Sequence, residues 1–377
     1  MSGHAIPGEM VDAGPSALGE EIGATALGPW PGTDPVEAAK VSLGIFTPPH
    51  LPSLVELPAR GIGSDAVGRT AALLVELPVD VQPYGWRFVD RPGNDHRRAV
   101  SALSTDINVL ADVAGAAELQ PAELKLQLVG PFSLAAVIHL HYGERALRDY
   151  GARRDVAQSL AAGLTAHVEK VRAAVPGAEL TLQIDEPDIA AALAGTIPTA
   201  SGYRTLRSIP GSELRQSWSA FVQSARDAGI AKVAINLPVP ARGQANPMAD
   251  PERDAAETAS WRKALELALE CGIDAIALPL HHLDTGHWEQ LAGAVESGTS
   301  IWAGAVPVRA GQLPPSYSAL VERVMRPWHG LGLPESSLNR LRITPESGLA
   351  ALSPVEAREV VNRTLEVADA LSEIRNA

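Results

Sequence analysis

The chain of 377 residues carries a formal net charge of −13 at pH 7, and 46% of its residues are hydrophobic while 20% are charged. This ordinary globular composition allows a large core and lacks the basic surface of a nucleic-acid-binding protein. We therefore expect no direct nucleic-acid partner, and an acidic surface that repels anionic membranes.

The beginning of the chain and its single cysteine indicate in which cellular compartment the protein is expected. Residues 1–20 are rich in Gly, Pro and Ala, which predicts a flexible leader before a single domain over residues 21–377. The leader lacks the basic start and apolar core of a signal peptide, and no segment reaches the roughly 18 apolar residues of a membrane span. The lone Cys271 cannot form an intramolecular disulfide. Together these features predict a soluble, cytoplasmic protein.

Short apolar or β-branched segments alternate along the chain with longer segments of helical periodicity. Between the predicted strands, residues 97–116 and 155–175 carry apolar side chains at steps of three and four, which predicts helices. Several strands are almost wholly apolar, as is typical of a parallel sheet covered on both faces. The eight predicted strands are Ile22–Leu27, Ala72–Glu76, Leu124–Leu128, Leu180–Ile184, Lys232–Asn236, Ala275–Leu278, Ser300–Ala305 and Leu341–Thr344.

Eight strands separated by helices predict an α/β fold in the form of a closed (β/α)8 or TIM barrel. Such barrels commonly use about 250 residues or more as one domain. An open, doubly wound sheet is the alternative. No glycine-rich dinucleotide loop follows a predicted strand, which argues against a nucleotide-binding version of that alternative.

Acidic residues follow three of the predicted strands, at the end where barrels build their active sites. These are Glu76, Asp185 and Glu346. Converging carboxylates bind an ammonium group or a metal, or act as acid and base. Helix capping or a surface charge is the simpler interpretation of Glu76 and Glu346, and capping is the alternative for Asp185 as well. Asp185 is the strongest of the three because Pro187 restricts the exit of the chain from its strand.

Four segments, in this order, resemble motifs of the cobalamin-independent methionine synthases: ALGPWPGT, LVGPFSLA, LQIDEPDIAAAL and ITPESGLA. They are similar to the family's N-terminal loop, its Gly-Pro loop, its Asp-Glu-Pro motif and its Pro-x-Cys-Gly-Leu motif. The chain looks like a short single-barrel branch found in actinobacteria. The resemblance implies the barrel type of methionine synthase and uroporphyrinogen decarboxylase. The family activity that it implies is methyl transfer from 5-methyltetrahydrofolate to homocysteine.

Zinc is the metal that the resemblance implies, because the family uses it to activate the homocysteine thiol. The family's ligands are a His-x-Cys pair, a Glu and the Cys of its last motif. This chain has Asn236 and Pro238 at the first pair and Ser347 at the last Cys, and the strand IDAIALPL ends without the Glu. Asn, Pro and Ser do not make a zinc site. We therefore expect no metal site and no resident cofactor.

A histidine-rich loop after the sixth predicted strand is the alternative place for a metal. It contains His281, His282, Asp284 and His287. This spacing matches no common ligand pattern, so a solvated loop is the preferred interpretation.

The remaining positions predict a pocket for a small, amino-acid-like ligand. Glu76 stands where the resemblance places the ligand of the amino group, and Asp185 faces the same mouth. Three hypotheses stay open, and they leave the question of catalysis undecided. They are a methionine synthase-like protein without zinc-dependent methyl transfer, an enzyme of altered chemistry such as a decarboxylase or another methyltransferase, and a non-catalytic protein of sulfur metabolism with a protein partner. The other residues predicted to line the pocket are Trp30, Asn236, Glu346 and Ser347.

Overall fold

The computed structural model describes residues 21–238 and 250–377, so the predicted leader over residues 1–20 lies outside the described residues. Within them, seven parallel strands form one sheet in the order β1-β9-β8-β7-β6-β5-β4, and β2 and β3 form an antiparallel hairpin. The strands are β1 (Gly23–Ala24), β2 (Val79–Gln82), β3 (Gly85–Phe88), β4 (Glu123–Val129), β5 (Glu179–Asp185), β6 (Lys232–Asn236), β7 (Ala275–Pro279), β8 (Ser300–Val306) and β9 (Leu341–Pro345).

Helices separate the parallel strands and cover the outside of the sheet. Capping residues fix where several of them begin. The carboxylate of Asp34 accepts the backbone amides of Val36 and Glu37, and Ser353 forms a capping box with Glu356. No helix of the described part of the chain is long and apolar enough to cross a membrane. The helices are α1 (Pro35–Ile45), α2 (Ala66–Ala71), α3 (Asn94–Ala116), α4 (Pro131–Val137), α5 (Tyr150–Ala174), α6 (Ile189–Ala194), α7 (Gly211–Asp227), α8 (Pro251–Leu269), α9 (Thr285–Glu296), α10 (Tyr317–Gly330) and α11 (Pro354–Asn376).

An irregular extended segment, residues 51–56, lies between the two edge strands β1 and β4. On one side, the amide of Glu56 donates to the carbonyl of Gly28 at 3.1 Å, in the chain that continues from β1. On the other side, the amide of Leu54 donates to the carbonyl of Lys125 in β4 at 2.9 Å. The bridges on both sides are parallel. The segment therefore closes the sheet into a ring of eight parallel segments, which is the predicted α/β barrel.

The predicted strand Ala72–Glu76 is wrong. The segment follows α2 as a turn on the outside of the barrel, and the carbonyl of Val75 accepts the hydroxyl of Ser159 in α5 at 2.7 Å. Its neighbour Glu76 is exposed and has a φ of 60°. The sequence LVELP occurs twice, at 54–58 and at 74–78, and the first copy is the one that enters the barrel. The other seven predicted strands are confirmed, Lys232–Asn236 with its predicted bounds and the other six with shifted ends.

Side chains alternate between two cores along the barrel strands. In β4, Leu124, Leu126 and Leu128 belong to the large core between the sheet and the helices. Lys125 lies between them in sequence and points into the barrel, where its ammonium group is 5.8 Å from the centroid of the Trp302 ring. The interior therefore combines polar groups with a small apolar cluster. That cluster consists of Leu27, Leu51, Ala234, Ala275, Ala277 and Trp302.

We expect Gly163→Ala to lower the free energy of unfolding by about 1–3 kcal/mol. A β-carbon at Gly163 in α5 would overlap the carbonyl oxygen of Leu73, in the turn that replaces the predicted strand. Gly115→Ala in α3 is the matched control, because an added β-carbon there has no neighbour within 4 Å. The control should raise stability by up to about 1 kcal/mol. Urea unfolding measures both changes, and a Gly163→Ala variant as stable as the parent chain would contradict this packing.

Candidate functional site

Asp185 and Asn236 meet at the carboxyl ends of neighbouring strands. They are paired in the register of β5 and β6. The carboxylate of Asp185 accepts the side-chain amide of Asn236 at 2.7 Å and that of Gln183 at 2.8 Å. Two amide donors thus fix one carboxylate oxygen inside the barrel, at the end where barrel chemistry takes place.

Lys125 lies deeper in the barrel and is fully buried. Its ammonium group donates to the carbonyl of Ala26 at 2.6 Å and to the side-chain oxygen of Gln183 at 2.6 Å. Because Gln183 also donates to Asp185, its amide connects the lysine with the acid. The three side chains form one continuous network from the centre of the barrel to its carboxyl end.

A second acid, Glu56, enters the barrel from the segment that closes it. Its side chain is buried, and burial raises its pKa, with a smaller contribution in the same direction from the charge of Asp185. Beside it, the Gln127 amide nitrogen donates to the carbonyl of Leu54 at 2.5 Å. The buried oxygen of the same amide has no hydrogen-bond partner among the described residues. This end of the barrel therefore contains two acids and one buried amide oxygen that lacks a donor among the described residues.

Burial moves three pKa values toward neutrality. It raises the pKa of Glu56 to about 7, against the opposing charge of Arg69. It raises the pKa of Asp185 to about 6, although the hydrogen bonds from Asn236 and Gln183 lower it. Burial also lowers the pKa of Lys125 to about 7, which the charges of Asp185 and Glu56 oppose. Groups with such pKa values exchange protons readily at neutral pH.

Glu186, next to Asp185 in the chain, binds the start of α4. One oxygen accepts the indole N–H of Trp218 at 3.0 Å and the amide of Phe132 at 3.3 Å, and the other accepts the amide of Ser133 at 2.8 Å. A β-carbon at Gly130 would overlap this carboxylate. Burial raises the pKa of Glu186 to about 7. Glu186 was not among the predicted site residues, although it is the acid of the Asp-Glu-Pro motif that caps a helix.

The other predicted site residues lie apart from this network. Glu76 is exposed on the outside of the barrel, and Ser347 is exposed in the loop after β9. Trp30 does not line the mouth as predicted, because its side chain is buried in the core between the sheet and the helices. Glu346 binds His281 and Arg309 in a neighbouring cleft. Of the six predicted residues, the structure brings together Asp185 and Asn236.

The residues at the positions where the resemblance implies zinc ligands do not fit zinc. The amide nitrogen of Asn236 is engaged as a donor to Asp185, and Ser347 is exposed. A side-chain amide that donates through nitrogen has no lone pair there for a metal. Within residues 21–238 and 250–377, no group of three or more His, Cys, Asp or Glu side chains could hold a metal ion.

The histidine-rich loop uses two of its side chains to begin a helix. Asp284 accepts the amide of His287 at 3.1 Å, and the ring of His287 accepts the amide of Asp284 at 3.1 Å, which is a capping box at the start of α9. His287 is buried and its ring packs edge-on against Trp261 at 4.8 Å. The ring centroids of His281 and His282 lie 3.7 Å apart, with the ring planes tilted by 43°. Helix capping therefore explains the Asp284–His287 spacing.

No family model and no curated protein matches this chain. Among solved structures, it is similar to a β-L-arabinopyranosidase from Geobacillus stearothermophilus in complex with arabinose, with 11% identity and a TM-score of 0.40, over 94% of this chain and 78% of that one. It is also similar to the carboxyl transferase domain of Rhizobium etli pyruvate carboxylase, with 12% identity and a TM-score of 0.25, over 93% of this chain and 54% of that one. Likenesses this low carry no argument about activity.

The two acids inside the barrel predict a pH dependence of stability. Their pKa values rise from 4.5 to about 7 for Glu56 and from 3.8 to about 6 for Asp185 on folding, so the folded chain binds more protons than the unfolded chain between these values. The contribution of these two acids to the free energy of unfolding should therefore fall as the pH rises from about 4 to about 7, while the buried His167, whose pKa burial lowers to about 3, contributes in the opposite direction. Urea unfolding across this range should show that the free energy of unfolding of the double variant Glu56→Gln/Asp185→Asn, relative to that of the parent chain, rises with pH. Glu76→Gln, at an exposed acid, is the control. An unchanged slope in the double variant would contradict the assignment.

Proposed function

We propose that this chain is a divergent methionine synthase-like barrel that binds a small molecule with an amino group and does not catalyse zinc-dependent methyl transfer. The observation that carries the proposal is the acceptor-rich end of the barrel. Asp185 is held there by Asn236 and Gln183, Glu56 lies within reach of its charge, and the oxygen of Gln127 lacks a donor among the described residues.

An ammonium group supplies the hydrogen-bond donors and the positive charge that the acids at this end of the barrel would bind. It supplies three N–H donors and one positive charge, and it has no acceptor. Hydrogen bonds between an ammonium group and a carboxylate are short and about twice as strong as neutral ones. Binding would favour the ionised forms of Glu56 and Asp185, because a nearby positive charge lowers the pKa of an acid. The proposal therefore includes proton release on binding below neutral pH.

An enzyme of altered chemistry on the same barrel is the second candidate function. The observation that favours it is the continuous link Lys125–Gln183–Asp185, whose two ends have pKa values of about 7 and about 6. Such a pair can take up and deliver a proton in a decarboxylation or in transfer to an activated acceptor. Under this function Lys125→Met would abolish turnover and leave substrate binding within about tenfold of the parent chain.

Amino-acid binding tests the first proposal. Titration calorimetry with L-methionine and L-homocysteine should show binding that the des-amino analogue of methionine lacks. Asp185→Asn and Glu56→Gln should each weaken it by more than about tenfold, because removing one partner of a desolvated charge pair costs about 2–5 kcal/mol.

Glu76→Gln is the control for these titrations, since it removes an exposed acid with the same change of charge. Its affinity should equal that of the parent chain. Equal binding of the des-amino analogue would contradict the proposal. Unchanged affinity in Asp185→Asn would contradict it as well.

Metal analysis and genetic complementation test the loss of methyl transfer. We expect protein purified without chelators to carry no stoichiometric zinc, because Asn236, Pro238 and Ser347 replace the ligands that the resemblance implies. Without a metal, a thiol of pKa about 8.5 is only a few per cent ionised at pH 7. The gene should therefore fail to rescue a methionine auxotroph. About one zinc per chain, or rescue, would contradict this part of the proposal.

A further inference from the structure

A cleft of about 990 Å³ lies between α9 and α10, beside the carboxyl ends of β7, β8 and β9. Three arginines line it: Arg309 after β8, and Arg323 and Arg326 in α10. The chain as a whole carries a net charge of −13, so a concentration of positive charge in one cleft runs against its overall balance. Two acids, Glu346 and Asp284, line the cleft as well, and each of them is paired with an arginine, Arg309 and Arg262 respectively.

One of the three arginines is held in place by a buried acid. The carboxylate of Glu346 accepts hydrogen bonds from the guanidinium of Arg309 and from the amide of Val308 at 3.1 Å, and it lies 3.0 Å from a ring nitrogen of His281. Only 6% of the Glu346 side chain is exposed. The negative charge of Glu346 is therefore already paired with Arg309, and this ion pair holds Arg309 at the edge of the cleft.

The other two arginines have no such partner. Arg323 and Arg326 are exposed, and neither forms a hydrogen bond or ion pair with another residue in the part of the chain that the structure describes. Because they are three residues apart in a helix, they share one face. The charges of Arg309 and Arg323 both act on His281, so both guanidinium groups are within electrostatic reach of one corner of the cleft.

The opposite wall is apolar. Trp288 in the first turn of α9 is half-buried, and Leu283 and Leu331 extend the surface around it. Asp284, the acid at this wall, is bound to Arg262 and to the amide of His287. An apolar wall that faces convergent charged groups is the usual composition of a small-molecule site.

We propose that this cleft binds a small organic oxyanion, a phosphate or carboxylate, with its charged group on Arg323 and Arg326 and its apolar part on Trp288. Guanidinium groups bind both kinds of oxyanion through paired N–H donors. The site is separate from the amine site inside the barrel and does not rest on the proposed function.

Titration calorimetry on the full chain tests the proposal. Phenyl phosphate and phthalate are the two oxyanion probes. Inorganic phosphate tests the charged group alone, and benzyl alcohol tests the ring alone. We expect one or both oxyanion probes to saturate at millimolar concentration, more tightly than either partial probe. The tighter of the two oxyanions identifies the source as phosphate or carboxylate. The double variant Arg323→Gln/Arg326→Gln should weaken binding about tenfold or more.

Two control variants keep the test specific. Arg204→Gln/Arg207→Gln removes the same two charges from an exposed loop outside the cleft and should leave the affinity unchanged. Asp185→Asn should also leave it unchanged, which separates this site from the amine site. Failure of both oxyanion probes to bind would overturn the proposal, and so would equal loss of affinity in the two double-arginine variants.

Discussion

The side chain of Lys125 is fully buried inside the barrel, and the other polar groups of the interior depend on it because they are its partners. A buried charge costs several kcal/mol unless partners satisfy it. Its partners come from two different parts of the ring, the carbonyl of Ala26 beyond β1 and the amide oxygen of Gln183 in β5. Closure of the ring by residues 51–56 brings the third group, Glu56, within reach of the same charge. The closed barrel and its polar network therefore depend on each other.

The interior charges explain why the network suits a cation. Lys125 carries one positive charge, and the acids Glu56 and Asp185 carry two negative charges when ionised. The nearby Arg69 shares the buried carboxylate of Asp106 with Arg60, and its positive charge also lowers the pKa of Glu56. The three groups reach neutrality when one acid holds a proton or when a bound cation supplies the missing charge. Burial raises both acid pKa values, and a bound ammonium group would lower them, because a nearby positive charge favours the ionised acids.

The sequence predicted seven of the eight barrel segments and the position of Asp185, because apolar strands and the acid that follows one of them are local signals. It misplaced the eighth segment, since LVELP occurs at 54–58 and again at 74–78 and nothing within these residues distinguishes the copies. Only the first copy lies in the closing segment, where the carbonyl of Pro52, just before it, accepts the amide of Lys125 at 2.8 Å. The acid of the closing segment is accordingly Glu56 instead of Glu76. The arginine cleft was also beyond prediction, because its side chains come from separate elements.

The two acids of the Asp-Glu-Pro motif differ in their contacts: Glu186 holds a helix and a loop in place, whereas Asp185 belongs to the network inside the barrel. Glu186 caps α4 and binds Trp218, and Gly130 of the Gly-Pro loop leaves room for that carboxylate. Two of the motifs that resemble methionine synthase are therefore one structural unit, whose residues are required for the loop and helix to pack whatever the barrel binds. Similarity in these residues supports the barrel architecture and says little about methyl transfer. Asp185 is different, because its hydrogen bonds come from side chains inside the barrel and none of them caps a helix. Asp185 and its neighbours are therefore the residues of this motif that bear on a ligand or a reaction.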